Sequence, residues 1–129
     1  MQTRADVLKA RTKRFALDVL ALIDTFAAFG SSAQIGRQLC DAATSVAANY
    51  RAACRSRSSA EFAARIGVVL EEADEALLWL EIVHEREIGS LTLRQQLLGE
   101  ANELTAIFAA STITARATAT RERDARRHK

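Results

Sequence analysis

Apolar residues recur at three- and four-residue steps in four segments of this 129-residue chain, and short polar breaks separate the segments. This spacing places the apolar side chains of each segment on one face of an α-helix. Proline is absent, only five residues are glycine, and alanine, leucine, glutamate and arginine dominate, all of which lose little on entering a helix. The pattern predicts an all-α protein.

Stop and start signals divide the chain into helices. Gly30 and Gly89 follow the first and third apolar segments and are typical helix ends. Ser31 and Ser58 open capping-box patterns that predict the start of the second and third helices. The helices are predicted at about residues 4–29, 32–55, 59–88 and 92–118.

These lengths and short connections predict the architecture. Helices of similar length joined by a few residues must lie beside one another in opposite directions. We expect residues 1–129 to form a single domain, an antiparallel up-down-up-down four-helix bundle with left-handed crossings. The charged tail, residues 120–129, has nothing to bury and is expected to fray.

Composition and cysteine spacing restrict the class of protein. Cys40 and Cys54 lie in one predicted helix, roughly 21 Å apart and beyond disulfide reach, so we expect reduced thiols. No apolar stretch approaches the roughly 20 residues that cross a bilayer, and the first residues do not resemble a signal peptide. A cytoplasmic protein without a membrane partner is predicted. The net charge of +2 does not by itself indicate nucleic-acid binding.

Charge is divided between the second and third helices. Residues 51–57 hold three arginines and no acid, whereas the third helix is crowded with carboxylates. Like charges at three- and four-residue spacing destabilise an isolated helix, so the acidic helix needs compensation. Arg51 and Arg55 share one helix face and are candidate partners, within a protomer or between protomers; the alternative is a solvated charge run. The acidic candidates are Glu71, Glu72 and Glu75.

Two helices carry more apolar residues than one core face needs. Residues 19–23 and 77–80 are apolar around most of the helix circumference, which indicates a second buried face. Leu78 and Trp79 are the candidates for an oligomer interface there, because aromatic anchors concentrate binding energy. The alternative for Trp79 is that it covers the edge of its own core.

A specific order of residues links the second and third helices. It runs from Ser45 to Phe62 as SVAANYRAACRSRSSAEF and continues as RIGVVLEEADE and LWLE. This order resembles the four-helix-bundle family named for proteins encoded in 23S ribosomal RNA intervening sequences. The first and fourth helices match that family only in length and pattern.

The resemblance implies an assembly and leaves the activity open. The family is similar in fold to the accessory proteins of diversity-generating retroelements, and its members are associated with pentameric, barrel-like assemblies. The resemblance therefore implies a homopentamer. It supplies no established molecular activity.

No constellation of catalytic or metal-ligating residues is complete. Di-iron bundles take Glu-x-x-His from two helices, and here only Glu81 and His84 form such a pair. Neither cysteine has a histidine nearby in sequence, and no glycine-rich phosphate loop is present. We predict no enzyme, no cofactor and no metal site.

Nucleic-acid binding is the functional hypothesis that a physical argument supports. A ring of protomers would multiply weak phosphate contacts into avid binding without base readout. The preferred prediction is a self-assembling scaffold or nucleic-acid/ribonucleoprotein accessory protein that contacts RNA or DNA. The alternative is a protein-binding adaptor that uses the second apolar face without nucleic acid. The candidate phosphate contacts are Arg4, Lys9, Arg11, Lys13 and Arg14.

Overall fold

The computed structural model describes residues 1–128 and contains four helices and no strand within them. Residue 129, the last of the expected charged tail, lies outside the described residues. The prediction of an all-α protein is confirmed. The helices are α1 (Arg4–Ile23), α2 (Gly30–Ala53), α3 (Ser59–Glu85) and α4 (Leu91–Arg127).

The four helices pack in a closed cycle. Helix α1 contacts α2 and α4, and α3 contacts the same two helices. Within residues 1–128 no Cα atom of α1 lies within 8 Å of one in α3, and the same holds for α2 and α4, so these two pairs are diagonal. Such packing is compatible with a four-helix bundle whose core lies on the central axis. Its largest fully buried side chains include Phe15, Leu22, Leu39, Ile66, Leu80, Leu97, Leu104 and Phe108.

Helix α1 ends earlier than its apolar pattern predicts. The sequence predicted a helix to residue 29, but α1 ends at Ile23. The Thr25 hydroxyl donates to the Leu22 carbonyl (2.6 Å), and the Phe26 side chain packs against the core from the following turn. Gly30 has a φ of +68° and begins α2 rather than ending α1. Phe26 therefore belongs to the core without belonging to the helix.

Serine side chains cap the later helices, but one predicted cap is wrong. The Ser58 hydroxyl accepts a hydrogen bond from the Glu61 amide (3.1 Å), as its capping pattern predicted. Ser31 caps nothing, because α2 has already begun at Gly30 and its N-cap, Phe29, offers no side-chain acceptor. Helix α4 begins after Ser90, whose hydroxyl accepts from the Leu93 amide.

The turn between α3 and α4 is fastened to the turn that follows α1. Gly89 has a φ of +73°, and a Cβ added there would lie 2.6 Å from Thr25 Oγ1 and 2.8 Å from the Phe26 ring. Only glycine fits such a left-handed position in close contact. The buried Arg94 side chain donates to the Gly89 carbonyl (2.7 Å). This end of the bundle is therefore closed by direct contacts between two turns.

Helix α4 is much longer than predicted. It has 37 residues against 20 in α1, which corresponds to about 55 Å against about 30 Å. The sequence predicted an end near residue 118 and a frayed tail, but the helix continues to Arg127. Residues 121–127 include no glycine or proline, and Arg126 and Arg127 lie in the last turn, where cations complement the helix dipole.

Candidate functional site

A basic groove runs between α1 and α2. It is defined here by Lys9 and Lys13 of α1 and Arg51 and Arg55 of α2, which line a cavity of about 430 Å³. Each pair is four residues apart, so both members lie on the same helix face. Alanine and threonine form the rest of the lining, and their small side chains leave the four cations prominent.

The charges of the basic groove are largely uncompensated. Within residues 1–128, Lys13, Arg51 and Arg55 form no ion pair, and Lys9 has only a long contact of 3.9 Å to Asp6. No acidic residue lines the groove. Four cations in one concave surface focus a positive potential that attracts anionic groups.

The acidic residues of α3 are equally unpaired. Glu71 and Glu75 are exposed, Glu72 is half-buried, and none of the three forms an ion pair within the described part of the chain. Burial raises the pKa of Glu72 above its ordinary value, and the neighbouring charges of Glu75 and Glu71 raise it further. We define these three residues as the acidic face.

Arg51 and Arg55 do not reach the acidic face inside one protomer. The arginines line the groove that α2 shares with α1, and neither forms an ion pair with a carboxylate of α3 within residues 1–128. No cation contributes to the pKa of Glu72, which would be lowered by a nearby arginine. The intramolecular version of the predicted pairing is therefore absent from the described protomer.

Leu78 and Trp79 lie on α3 beside the acidic face and differ in burial. Leu78 is 51% exposed. Trp79 is half-buried and packs against the core, and its indole Nε1 donates to Glu75 Oε1 at 3.4 Å. Trp79 thus covers the edge of its own core, while Leu78 presents apolar surface to the outside.

The five predicted phosphate contacts do not form one cluster. Lys9 and Lys13 line the basic groove, and Arg4 lines a separate cavity at the start of α1. Arg14 pairs with Asp18 (3.1 Å) on its own helix. The sequence interval 4–14 spans three helical turns, so its cations are distributed around α1.

Arg11 forms ion pairs with two carboxylates of α4. Its Nε and a terminal nitrogen donate to the two carboxylate oxygens of Glu100 at 2.8 and 2.6 Å, and the same terminal nitrogen donates to Glu103 at 2.9 Å. This bidentate pair joins α1 to α4. Its guanidinium charge is balanced within the protomer.

Among residues 1–128, no three histidine, cysteine, aspartate or glutamate side chains converge as a metal centre would require. His84 is half-buried, and its Nδ1 is buried without a hydrogen-bond partner in this part of the chain. Cys40 and Cys54 are free thiols, both half-buried. No described helix is long and apolar enough to span a membrane.

Comparison with known proteins identifies the family. The family model described as 23S rRNA-intervening sequence protein matches residues 6–110, which cover all of α2 and α3 and most of α1. The chain belongs to this family. No curated protein matches it.

A solved structure supports the fold of this family member. It is a crystal structure of a Bacteroides thetaiotaomicron protein of unknown function from the S23 ribosomal protein family, with a TM-score of 0.72 and 22% sequence identity. The match covers 81% of this chain and 96% of the other. At this identity the likeness establishes the fold alone. The comparisons therefore supply a family without an established activity.

The sequence could have located the basic groove but did not. Lys9 and Lys13, like Arg51 and Arg55, have the four-residue spacing that places charges on one face. The predictions assigned the first pair to nucleic acid and the second to an oligomer interface. Only the contact between α1 and α2 brings the two pairs into one surface.

Replacing Glu100 with glutamine should lower the free energy of unfolding by roughly 1 kcal/mol at neutral pH, because a hydrogen-bonded charge pair that is only partly exposed is lost. Hydrogen bonds from Arg11 hold the pKa of Glu100 below its ordinary value of 4.5. The stabilisation is therefore present above pH 4.5 and is lost as the pH falls through the lowered pKa. Urea unfolding of both proteins across this range measures it.

Glu103→Gln is the matched control for that measurement. Its carboxylate contacts the same arginine, but the side chain is 69% exposed, so screening by water reduces its expected effect to a few tenths of a kcal/mol. An equal loss in the two variants, or a loss in Glu100→Gln that persists unchanged at acid pH, would contradict the role assigned to the Arg11–Glu100 pair.

Proposed function

We propose that this protein is a non-enzymatic, self-assembling scaffold in which the acidic face of one copy occupies the basic groove of the next. The observation that carries the proposal is the presence of two surfaces of opposite charge, on different sides of one protomer, that find no partner within residues 1–128. Bringing them together between copies would satisfy both surfaces at once.

The position of the two surfaces favours a ring. A contact in which the acidic face of one copy meets the groove of the next, and the same pair does not return the contact, is heterologous, and such contacts close into rings when the rotation between copies permits. The resemblance noted from the sequence supports a ring of five. Within each copy we propose antiparallel, up-down-up-down helices with left-handed crossings, because the connections at residues 24–29, 54–58 and 86–90 are short. We place this assembly in the cytoplasm.

Exposed apolar residues support the same arrangement. Leu78 lies beside the acidic face, and Val68 on the same helix is 40% exposed. On α1, Leu17 and Leu20 are 44% and 37% exposed. Apolar side chains around a charged contact exclude water and strengthen it, as at the core of ordinary interfaces.

The mass in solution tests the proposal. Light scattering at low salt should give several times the protomer mass of 14.1 kDa, and five times that mass would support the pentamer. The mass should fall at high salt, because ions screen the charged contact. A monomer at every salt concentration would overturn self-assembly and favour the alternative, an adaptor whose exposed apolar face binds another protein.

A nucleic-acid accessory role is a second candidate, favoured by the long α4. Arg116, Arg123 and Arg127 are exposed and are seven and four residues apart, so they lie on one face of the second half of α4. Several copies in one assembly would multiply these phosphate contacts. Binding of RNA or DNA would support this role if the logarithm of the affinity falls linearly with the logarithm of the salt concentration. No binding at low salt would contradict it.

A further inference from the structure

A separate cavity lies at the end of the bundle where α1 and α3 begin. It has a volume of about 840 Å³, within the range of roughly 300–1,000 Å³ that is usual for small-molecule sites. Its walls come from the start of α1, the end of α2, the connection to α3, the start of α3 and the second half of α4. No residue of the basic groove or of the acidic face lines it.

The inner wall of this cavity is apolar and firmly packed. Leu8, Tyr50 and Ile66 line it and are almost fully buried, and the half-buried Phe62 lies beside them. The Tyr50 ring packs on Phe108, with ring centroids 5.4 Å apart. Burial raises the pKa of the Tyr50 hydroxyl, so it remains protonated at physiological pH. A rigid, neutral apolar wall suits the hydrocarbon or aromatic body of a ligand.

The charged residues that line the cavity are all positive. Arg4 and Arg57 line the cavity, and no acidic residue accompanies them. Neither arginine forms an ion pair in the described chain, and Arg4 lies near enough to Tyr50 to oppose the rise in its pKa. The Ser56 hydroxyl also lines the cavity and is buried without a hydrogen-bond partner in residues 1–128. These groups offer hydrogen-bond donors and positive charge, and no carboxylate lines the cavity to repel an anion.

We infer that this cavity binds a small amphipathic anion, with its apolar body against Tyr50 and Phe62 and its acidic head on Arg4 and Arg57. An apolar wall alone would accept neutral molecules, and two arginines alone would accept inorganic phosphate. A cavity with both features selects ligands that carry both an apolar body and an anionic head. Planar guanidinium groups match the geometry of carboxylate and sulfonate oxygens, which defines the head group.

Fluorescence titration of the full chain tests this inference. The probe is anilinonaphthalene sulfonate, and its uncharged analogue phenylnaphthylamine is the control for apolar binding. The sulfonate should bind, and decanoate should displace it, whereas decanol and inorganic phosphate at the same concentration should not. Equal binding of charged and uncharged probes, or displacement by decanol as effective as by decanoate, would overturn the inference.

Two kinds of variant locate the binding. Arg4→Gln combined with Arg57→Gln should weaken sulfonate binding about tenfold or more, because charge-assisted hydrogen bonds are lost. Arg37→Gln removes an exposed arginine of α2 outside the cavity and should leave binding unchanged. Ala110→Trp places a large side chain on an exposed lining position and should abolish binding of the sulfonate.

The outcome does not depend on the assembly proposed above. Circular dichroism melting checks that each variant is folded, because a loosened core would also bind the probe. Full binding in the double arginine variant would show that the head group is not held by Arg4 and Arg57. Full binding in a folded Ala110→Trp variant would place the probe elsewhere. Either result overturns the inference.

Discussion

Truncation of Phe108 to alanine is expected to lower the free energy of unfolding by about 3–5 kcal/mol, the usual cost of removing a phenylalanine from a tightly packed core. Phe108 is 0% exposed, lies on α4 and packs its ring on Tyr50 of α2. Truncation would leave a cavity between helices that do not contact each other through their backbones. Urea unfolding at fixed protomer concentration measures the loss.

Ile113→Ala is the matched control on the same helix. Ile113 is 72% exposed, and alanine has the higher helix propensity, so the change should alter stability by no more than about 0.5 kcal/mol. Protomer concentration must be equal in all samples, because assembly contributes to apparent stability. A loss below about 1 kcal/mol in Phe108→Ala would show that the core relaxes around the missing ring.

The sequence predicted the helical class because apolar residues at three- and four-residue spacing form one buried helix face. Periodicity reports burial and not backbone conformation, which is why the end of α1 was misplaced. Phe26 continues the apolar pattern beyond α1, yet it packs on the core from a turn that Thr25 stabilises. Likewise, the predicted end near residue 118 was too early, because alanine and arginine sustain the helix to Arg127.

The sequence predicted the residue sets of the candidate site but not how the folded protein arranges them. Charge and spacing indicated Arg51 and Arg55 as one pair and the residues of the acidic face as another set. Whether opposite charges meet depends on which side of a helix faces its neighbour: α2 packs against α3, but Arg51 and Arg55 line the groove that α2 shares with α1. The ion pair of Arg11 with Glu100 could not be predicted from sequence spacing either, since 89 positions separate the two residues.

Charge reversal at the proposed interface is expected to have the largest effect on assembly. Arg51→Glu with Arg55→Glu leaves only Lys9 and Lys13 as cations of the groove and places two carboxylates opposite the acidic face of the next copy, and juxtaposed like charges cost several kcal/mol at an interface. Light scattering should then give the mass of the protomer. Glu71→Arg with Glu75→Arg should do the same from the other side. All four residues are exposed, so each protomer should remain folded.

A control with the same change in net charge separates a specific contact from general repulsion. Arg37→Glu with Arg86→Glu alters two exposed arginines that do not line the groove. This variant should retain the mass of the unmodified protein. If it dissociates as completely as the groove variant, net charge rather than the groove governs assembly.

The quadruple variant, which carries both reversals in one chain, is expected to recover the original mass. The carboxylates introduced at positions 51 and 55 meet the arginines introduced at positions 71 and 75 of every neighbouring copy, so a ring with any number of copies can close. A mixture of the two double variants behaves differently, because it can form matched contacts only by alternation. A ring with an odd number of copies cannot alternate completely, so the mixture should give even-numbered or open assemblies and not pentamers. Failure of the quadruple variant to assemble would refute the pairing of groove and acidic face, and pentamers in the mixture would refute its head-to-tail order.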